Sequence, residues 1–154
     1  GQLVRTAWVD QNVFGKPLAT ANNYLFNQED GDDADGSPMD GVFIESSDFD
    51  LQEGNNFTFI RRIMPDVKFY GTNVDTGVPQ INMLLKTRNA PSESLTTKAT
   101  TDISNNTDQV HVRARGRQAV LRLQSDDDAA VGNRTGYKWR LGYTRLDIQP
   151  DGRR

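Results

Sequence analysis

The sequence predicts an all-β protein, more specifically an antiparallel β-sandwich or jelly-roll-like module with an N-terminal strand and a long connecting arm. Apolar and polar residues alternate along most of the chain, as in strands, and no stretch of three turns has the apolar spacing of a helix. The 154 residues include 13 glycines and are only 35% hydrophobic, which is typical of short strands joined by many turns. A chain of this length can form a hydrophobic core without disulfides.

Two segments are predicted along the chain. Residues 1–40 open with an alternating strand at 3–9 and continue into a stretch rich in Gly, Asn and Asp, which we expect to be an acidic connecting arm. The strand starts without a lead-in, so we expect the chain to be a piece of a longer product and consider residues 1–40 as the end of an upstream β domain. Residues 41–154 are predicted to form the sandwich domain.

The strands of residues 41–154 follow from their alternating apolar positions. We expect about eight short strands, as in sandwiches and jelly rolls. Pro65 is expected at a bulge or edge because it has no N–H to donate, and Gly116 and Arg117 are expected to turn the chain. The residues predicted to point inward are Val67, Phe69, Ile81, Met83, Leu85, Val110, Val112, Ala114, Ala119, Leu121, Leu123, Trp139, Leu141, Tyr143, Leu146 and Ile148.

Arginines alternate with these apolar residues in the C-terminal strands, which places them on the outward face. Residues 1–110 contain 8 Lys+Arg and 16 Asp+Glu, whereas residues 111–154 contain 10 and 5, which together give the totals of 18 and 21. The arginines are interpreted either as contacts to DNA phosphate or as part of a salt-bridged sheet face or subunit interface. These candidate residues are Arg113, Arg115, Arg122 and Arg140 in strands and Arg117 in the turn.

Several kinds of chemistry are not supported by the sequence. Without cysteine there are no disulfides or thiolate sites, and with His111 as the one histidine there is no imidazole cluster for zinc. Phosphate-loop and nucleophile-elbow motifs are absent. Asp48 and Asp50 are the one carboxylate pair suggested by strand parity, and we interpret them as surface acids. We therefore predict no catalytic residue and no cofactor.

The acidic tract at residues 29–36 is predicted to be a solvated loop rather than a metal site. It fails the EF-hand template, because with Gly36 at position 6 the first position is Gly31 and the twelfth is Val42. An irregular calcium site stays open as an alternative. The longest apolar runs are only a few residues, so no membrane insertion is predicted.

The C-terminal part of the chain carries a family resemblance. It lies in residues 109–118 (QVHVRARGRQ), 121–125 (LRLQS), 139–148 (WRLGYTRLDI) and 150–154 (PDGRR), with further similarity at 8–10, 33–39 and 86–89. In these residues the chain resembles virion structural proteins of tailed phages, specifically the tail nozzle or packaged-DNA-stabilising proteins of short-tailed phages. Members of that group are usually longer, with propeller-like β domains upstream.

The resemblance implies a non-enzymatic virion component located in the phage tail. Such proteins form rings, commonly hexamers, at the distal end of the tail tube, where they retain the packaged genome and take part in its ejection. The implied partners are further copies of the chain, the tail adaptor and other tail proteins, with non-specific contact to phage DNA. No catalytic or metal-binding residue is implied.

The sequence allows two non-enzymatic functions, a structural ring subunit and a binding module. An enzyme is the weakest of the three hypotheses. A structural ring subunit is favoured over a receptor- or carbohydrate-binding β-sandwich module at the tail tip, because the latter needs exposed aromatics and most aromatics have inward parity. In a ring, the basic face of one subunit can meet the acidic face of the next. We therefore expect most of the outward arginines to pair with protein acids and a minority to face a lumen.

Overall fold

The computed structural model of the chain describes residues 5–11, 15–31, 41–51, 56–71, 81–125 and 137–152, with the backbone alone for Tyr137. These ranges contain no helix and every strand pairing is antiparallel, which confirms the all-β prediction. The strands are β1 (Ala7–Val9), β2 (Leu18–Ala21), β3 (Tyr24–Asn27), β4 (Phe43–Glu45), β5 (Phe49–Asp50), β6 (Thr58–Met64), β7 (Val67–Gly71), β8 (Ile81–Arg88), β9 (Thr96–Ile103), β10 (Val110–Gly116), β11 (Gln118–Ser125), β12 (Tyr137–Leu141) and β13 (Arg145–Pro150).

The chain forms two compact units, Gly1–Asp32 and Asp33–Arg154. In the first, the predicted N-terminal strand is β1, and it belongs to a three-stranded sheet in the order β1–β2–β3. Strands β2 and β3 lie in the stretch expected to be a connecting arm. Asn22 and Asn23 join them with φ angles of 51° and 65°, and a two-residue loop with two positive φ angles fits the twist of a β-hairpin.

The second unit is a β-sandwich. One sheet, here called the β8 sheet, has the order β4–β11–β8–β9, with β5 also paired to β11, and the other, the β6 sheet, has the order β10–β6–β13. Strands β7 and β12 form a two-stranded ribbon. Both sheets and the ribbon contribute to one core, whose buried members are Leu51, Ile60, Ile63, Phe69, Ile81, Met83, Leu85, Ile103, Val110, Val112, Ala114, Ala119, Leu121 and Leu123.

The chain passes from one sheet to the other at Gly116. Although β10 and β11 are consecutive, β10 pairs with β6 and β11 pairs with β8. At the crossing, Thr87 Oγ1 donates to the Arg115 carbonyl at 3.0 Å and Arg117 N donates to the Arg88 carbonyl at 3.1 Å. A Cβ at Gly116 would lie 2.7 Å from Cβ of Thr87, so this close passage requires glycine.

A corner joins the β6 sheet to the β7–β12 ribbon. Strands β6 and β7 are separated by Pro65 and Asp66, and opposite them residues 142–144 separate β12 from β13. Gly142 N donates to the Asp66 carbonyl at 2.8 Å, and Tyr143 N donates to Oδ2 of Asp66 at 2.9 Å. Thr144 Oγ1 donates to the Pro65 carbonyl at 3.2 Å, so the corner satisfies its backbone groups locally.

Most inward positions agree with the prediction. The predicted core residues of β8, β10 and β11 are all buried, and Val67, Trp139, Leu141, Leu146 and Ile148 pack partly buried against the core. The inward placement of Tyr143 is wrong, because the strand ends at Leu141 and the corner leaves this side chain 76% exposed.

Candidate functional site

The outer face of the β8 sheet carries charges that pair within the chain. Strands β4 and β5 both run along β11, which brings an acidic segment to the sheet. Glu45 accepts from Nζ of Lys86 at 2.7 Å and lies 3.5 Å from Nη1 of Arg122. The guanidinium of Arg122 also stacks over the ring of Phe43, 3.8 Å from its centroid. Glu45 thus contacts one cation from each of two strands.

Two aspartates extend this pairing along the same face. Asp48 forms an ion pair with Arg88, and Asp50 Oδ1 accepts from Nε2 of Gln118 at 2.7 Å. Nε of Arg88 donates to Oε1 of Gln118 at 2.7 Å, which links the two contacts. The carboxylate pair suggested by parity is therefore engaged by side chains of its own sheet. We call Glu45, Asp48, Lys86, Arg88 and Arg122 the paired face.

The contacts of Glu45 shift its pKa. The hydrogen bond from Lys86, reinforced by the charge of that ammonium and by Arg122, lowers the pKa of the Glu45 carboxyl below its ordinary value of 4.5, against a smaller opposing effect of desolvation. A lowered pKa in the folded state stabilises the fold above the ordinary pKa and is lost as the pH falls through the lowered one.

The opposite side of the sandwich is dominated by cations. Strand parity and exposure place these residues on the outer face of the β6 sheet and the exposed face of the β7–β12 ribbon, which we together call the basic face. Its acids among the described residues are Asp66, Asp147 and Asp151. Its cations are Arg61, Arg62, Lys68, Arg113, Arg115, Lys138, Arg140 and Arg145.

Two arginines of the basic face have acidic partners. Nη2 of Arg62 lies 3.3 Å from Oδ2 of Asp147, and its Nη1 donates to Oε1 of Gln109 at 3.1 Å. Arg115 forms an ion pair with Asp151 and stacks over Phe57, with 3.9 Å from Cζ to the ring centroid. These contacts lie on either side of Arg61 and Arg113 along β6 and β10.

A groove lies between them, at an irregularity in the sheet. The register of β10 against β6 shifts between His111 and Ala114, so that two residues of β10 lie opposite Arg61 alone. Such a bulge redirects side chains locally. The groove has a volume of about 660 Å³, and its lining consists of Phe59, Arg61, His111, Val112 and Arg113. Arg61 and Arg113 are exposed, and neither forms an ion pair with a described residue.

The ribbon places two cations directly opposite each other. Lys68 of β7 pairs in register with Arg140 of β12, and both side chains are exposed. Directly opposed like charges on one face of a sheet destabilise the pairing. Beside them, Lys138 lies opposite Tyr70, which is also exposed. Anions bound at this face would relieve the repulsion.

The five candidate arginines do not form one surface. Arg113 and Arg115 lie on the outer face of the β6 sheet, and Arg140 lies on the ribbon. Arg122 lies on β11 in the paired face, because the chain changes sheets at Gly116. Arg117, at that crossing, lies with its Cζ 4.7 Å from the ring centroid of Phe57. Arg115 and Arg122 pair with acids of the same chain. The sequence pattern does not identify these acidic partners.

Five cations of the basic face were not among the sequence candidates, namely Arg61, Arg62, Lys68, Lys138 and Arg145. Arg61, Lys68 and Arg145 belong to strands whose apolar alternation was recognised, so parity alone could have assigned Lys68 to an outward position. Their proximity to Arg113 and Arg140 depends on register across strands that are distant in sequence. The local sequence does not encode that register.

Aromatic exposure differs from the prediction. The expectation that most aromatics point inward is wrong for the described side chains, among which Phe69 is buried and only Phe49 and Trp139 pack partly buried against the core. In the first unit Trp8 is 52% exposed and Tyr24 is 70% exposed. Both lie on the same face of their sheet as Phe26, since Trp8 and Phe26 both pair with Ala19. The aromatic side chains therefore do not count against a binding module.

Within the described ranges, no group of three or more His, Cys, Asp or Glu side chains is arranged to hold a metal ion. Most of the acidic tract considered for calcium, residues 32–36, lies outside those ranges; Asp30, which is described, lies 2.5 Å from Nζ of Lys16. The same part of the chain has no helix with the length and apolar character needed to cross a membrane. Neither a protein-family model nor a curated protein matches the chain.

Proposed function

We propose that this chain is a non-enzymatic structural subunit of a phage tail ring, the nozzle, in which copies of the chain help to form the channel that retains and releases packaged DNA. The observation that most supports it is the overlap between the resemblance and the basic face. Residues 109–118 and 139–148, which resemble tail nozzle proteins, form β10 and most of β12 and β13. Those strands provide Arg113, Arg115 and Arg140 of a face whose cations outnumber its acids.

Open strand edges support assembly with further copies. Strand β9 runs over Thr96–Ile103 and pairs only with β8 among the described strands. Its residues Thr96, Thr97, Lys98 and Thr100 are exposed, so its free backbone groups are accessible to another chain. In a ring of subunits, commonly a hexamer in the group that this chain resembles, such edges and charged faces would be covered by neighbours or by the tail adaptor.

Localisation in particles tests this proposal directly. Purified virions of the parent phage should contain the chain, and a cryo-electron-microscopy map of the tail should accommodate several copies in a ring at its distal end. A chain that is absent from purified virions, or present there only as a monomer away from the tail axis, would overturn the proposal.

A receptor- or carbohydrate-binding module at the tail tip is the second candidate, and the exposed aromatics of the first unit favour it. Trp8 and Tyr24 share one face of the β1–β2–β3 sheet, and aromatic rings of this kind provide large contact areas for ligands. Arg5 stacks over Phe26 at 4.0 Å on that sheet. Binding of the chain to host cells, lost in Trp8→Ala and kept in Tyr143→Ala, would favour this function; equal binding by both variants would count against it.

A further inference from the structure

Among the described residues, the cations of the basic face outnumber its acids. Arg62 and Arg115 have acidic partners, whereas Arg61, Lys68, Arg113, Arg140 and Arg145 form no ion pair with a described residue. On the paired face of the same sandwich, by contrast, three cations contact Glu45 and Asp48. Exposed cations without partners repel one another, which lowers the stability of the compact chain.

The arrangement of these cations is broad rather than linear. Along β10 the exposed His111, Arg113 and Arg115 alternate with buried residues, and alternate residues of a strand are about 6.8 Å apart. Arg61 lies on the neighbouring strand, about 4.8 Å away in the direction of the hydrogen bonds. The face continues past the corner to Lys68 and Arg140. The array therefore extends along the strands and across several of them.

We infer that the basic face binds the phosphate backbone of duplex DNA, with the groove between Arg61 and Arg113 as its centre. The guanidinium group forms paired hydrogen bonds with phosphate oxygens, and Arg outnumbers Lys on this face. Backbone binding needs no base contact, so no sequence preference is expected. This inference deepens the proposed function and rests on it for the choice of duplex DNA as the natural polyanion.

The breadth of the face favours a duplex over a single acidic peptide. An extended peptide is a single chain, so it would contact one line of side chains on the face of a sheet. Cations that form no ion pair with a described residue lie on three neighbouring strands, β10, β6 and β13, and on the β7–β12 ribbon, an array that one such peptide does not cover. A duplex carries one charge for every roughly 1.7 Å of its axis, distributed over two strands. It can therefore contact many cations of the basic face at the same time.

The test measures binding of the purified chain to a fluorescent duplex of about 30 base pairs over a range of salt concentrations. The variant is Arg61→Gln/Arg113→Gln, which removes two exposed cations of the groove. The matched control is Lys98→Gln, which removes an exposed cation from β9 on the other sheet. Circular dichroism checks that all three proteins keep the same strand content.

The expected result is distinct for each protein. Wild-type affinity should fall linearly with the logarithm of salt concentration, and the double variant should reduce that slope by about two and weaken binding roughly 30- to 100-fold at about 0.1 M salt. Lys98→Gln should stay within about twofold of wild type.

Three outcomes would overturn the inference: no duplex binding by the wild type, equal weakening in the double variant and in Lys98→Gln, or binding of poly-L-glutamate but not of the duplex. Self-association that the double variant abolishes, seen by light scattering without any DNA binding, would identify the face as a protein interface instead. The ring proposal is tested separately by the position of the chain in virions, so each can fail without the other.

Discussion

The paired face of the sandwich has three cations, each in contact with an acid of the same chain, whereas the basic face has eight cations and three acids among the described residues. On the paired face, residues 43–50 lie along β11 and bring Glu45 and Asp48 into contact with Lys86, Arg88 and Arg122. No acidic segment lies along the basic face in the described part of the chain. Whether an outward arginine is neutralised therefore depends on which segment lies beside its strand, and not on its parity.

The interior behind both faces is expected to dominate stability. Leu85 of β8 is fully buried in the core shared by the two sheets. Leu85→Ala should lower the free energy of unfolding by about 2–5 kcal/mol in urea titrations, because it removes buried methyl groups and leaves a cavity. Leu84→Ala, on the outer side of the same strand, is the control and should cost much less. Equal losses would mean that the faces are not divided as described.

The crossing between the sheets should be the next most sensitive point. Gly116→Ala places a Cβ 2.7 Å from Cβ of Thr87, and overpacking of this kind costs about 1–3 kcal/mol. Gly142→Ala at the corner first meets the carboxylate of Asp66, which can rotate at the cost of its hydrogen bond to Tyr143 N. Thermal unfolding should therefore rank Gly116→Ala as the more damaging change, and the reverse order would contradict the close passage at Gly116.

Removing the central acid of the paired face should have a smaller, pH-dependent effect. Glu45→Gln should lower stability at pH 7 by less than about 1 kcal/mol, since its ion pairs are partly exposed. Because the pKa of Glu45 is lowered, the difference from wild type should be complete above its ordinary pKa of 4.5 and vanish as the pH falls through the lowered value. Urea titrations across this range measure it, and a difference that grows in acid would refute the assignment.

The smallest expected effect is a gain on the basic face. Lys68→Glu converts the directly opposed Lys68–Arg140 pair into one of opposite charge and should stabilise the fold by roughly 0.2–1 kcal/mol at low salt. The gain should shrink at high salt, where exposed charges are screened. Lys68→Glu/Arg140→Glu is the control and should lose the gain. A double variant as stable as Lys68→Glu would show that the pair does not interact.

Much of the strand pattern was predictable because burial in a sheet repeats every two residues. The alternation at Ile81, Met83 and Leu85, and at Val110, Val112 and Ala114, identified residues that are buried in the structure. The hairpin between β2 and β3 was encoded as well, by Asn22 and Asn23 between two short apolar runs, although the stretch was interpreted as an arm. The acidic residues around the hairpin favoured the interpretation of this stretch as a connecting arm.

The site was less predictable, because a pattern along one strand does not specify its neighbours. A turn at Gly116 looks the same in sequence whether the next strand pairs with β10 or joins the opposite sheet, so Arg113 and Arg122 were grouped although they lie on different sheets. The bulge opposite Arg61 and the Lys68–Arg140 pair arise from register between strands far apart in the chain.

The sequence by itself determined the fold class and the inward or outward direction of most strand residues, because both depend on local backbone geometry and on the burial of apolar side chains. Only the tertiary structure decided which outward charges meet. It brought Glu45 to Lys86 and Arg122, and it left Arg61 and Arg113 together in a groove whose lining contains no acid among the described residues. Coulomb interactions depend on distance in space, and for residues separated by 40 or more positions that distance is set by how the sheets assemble.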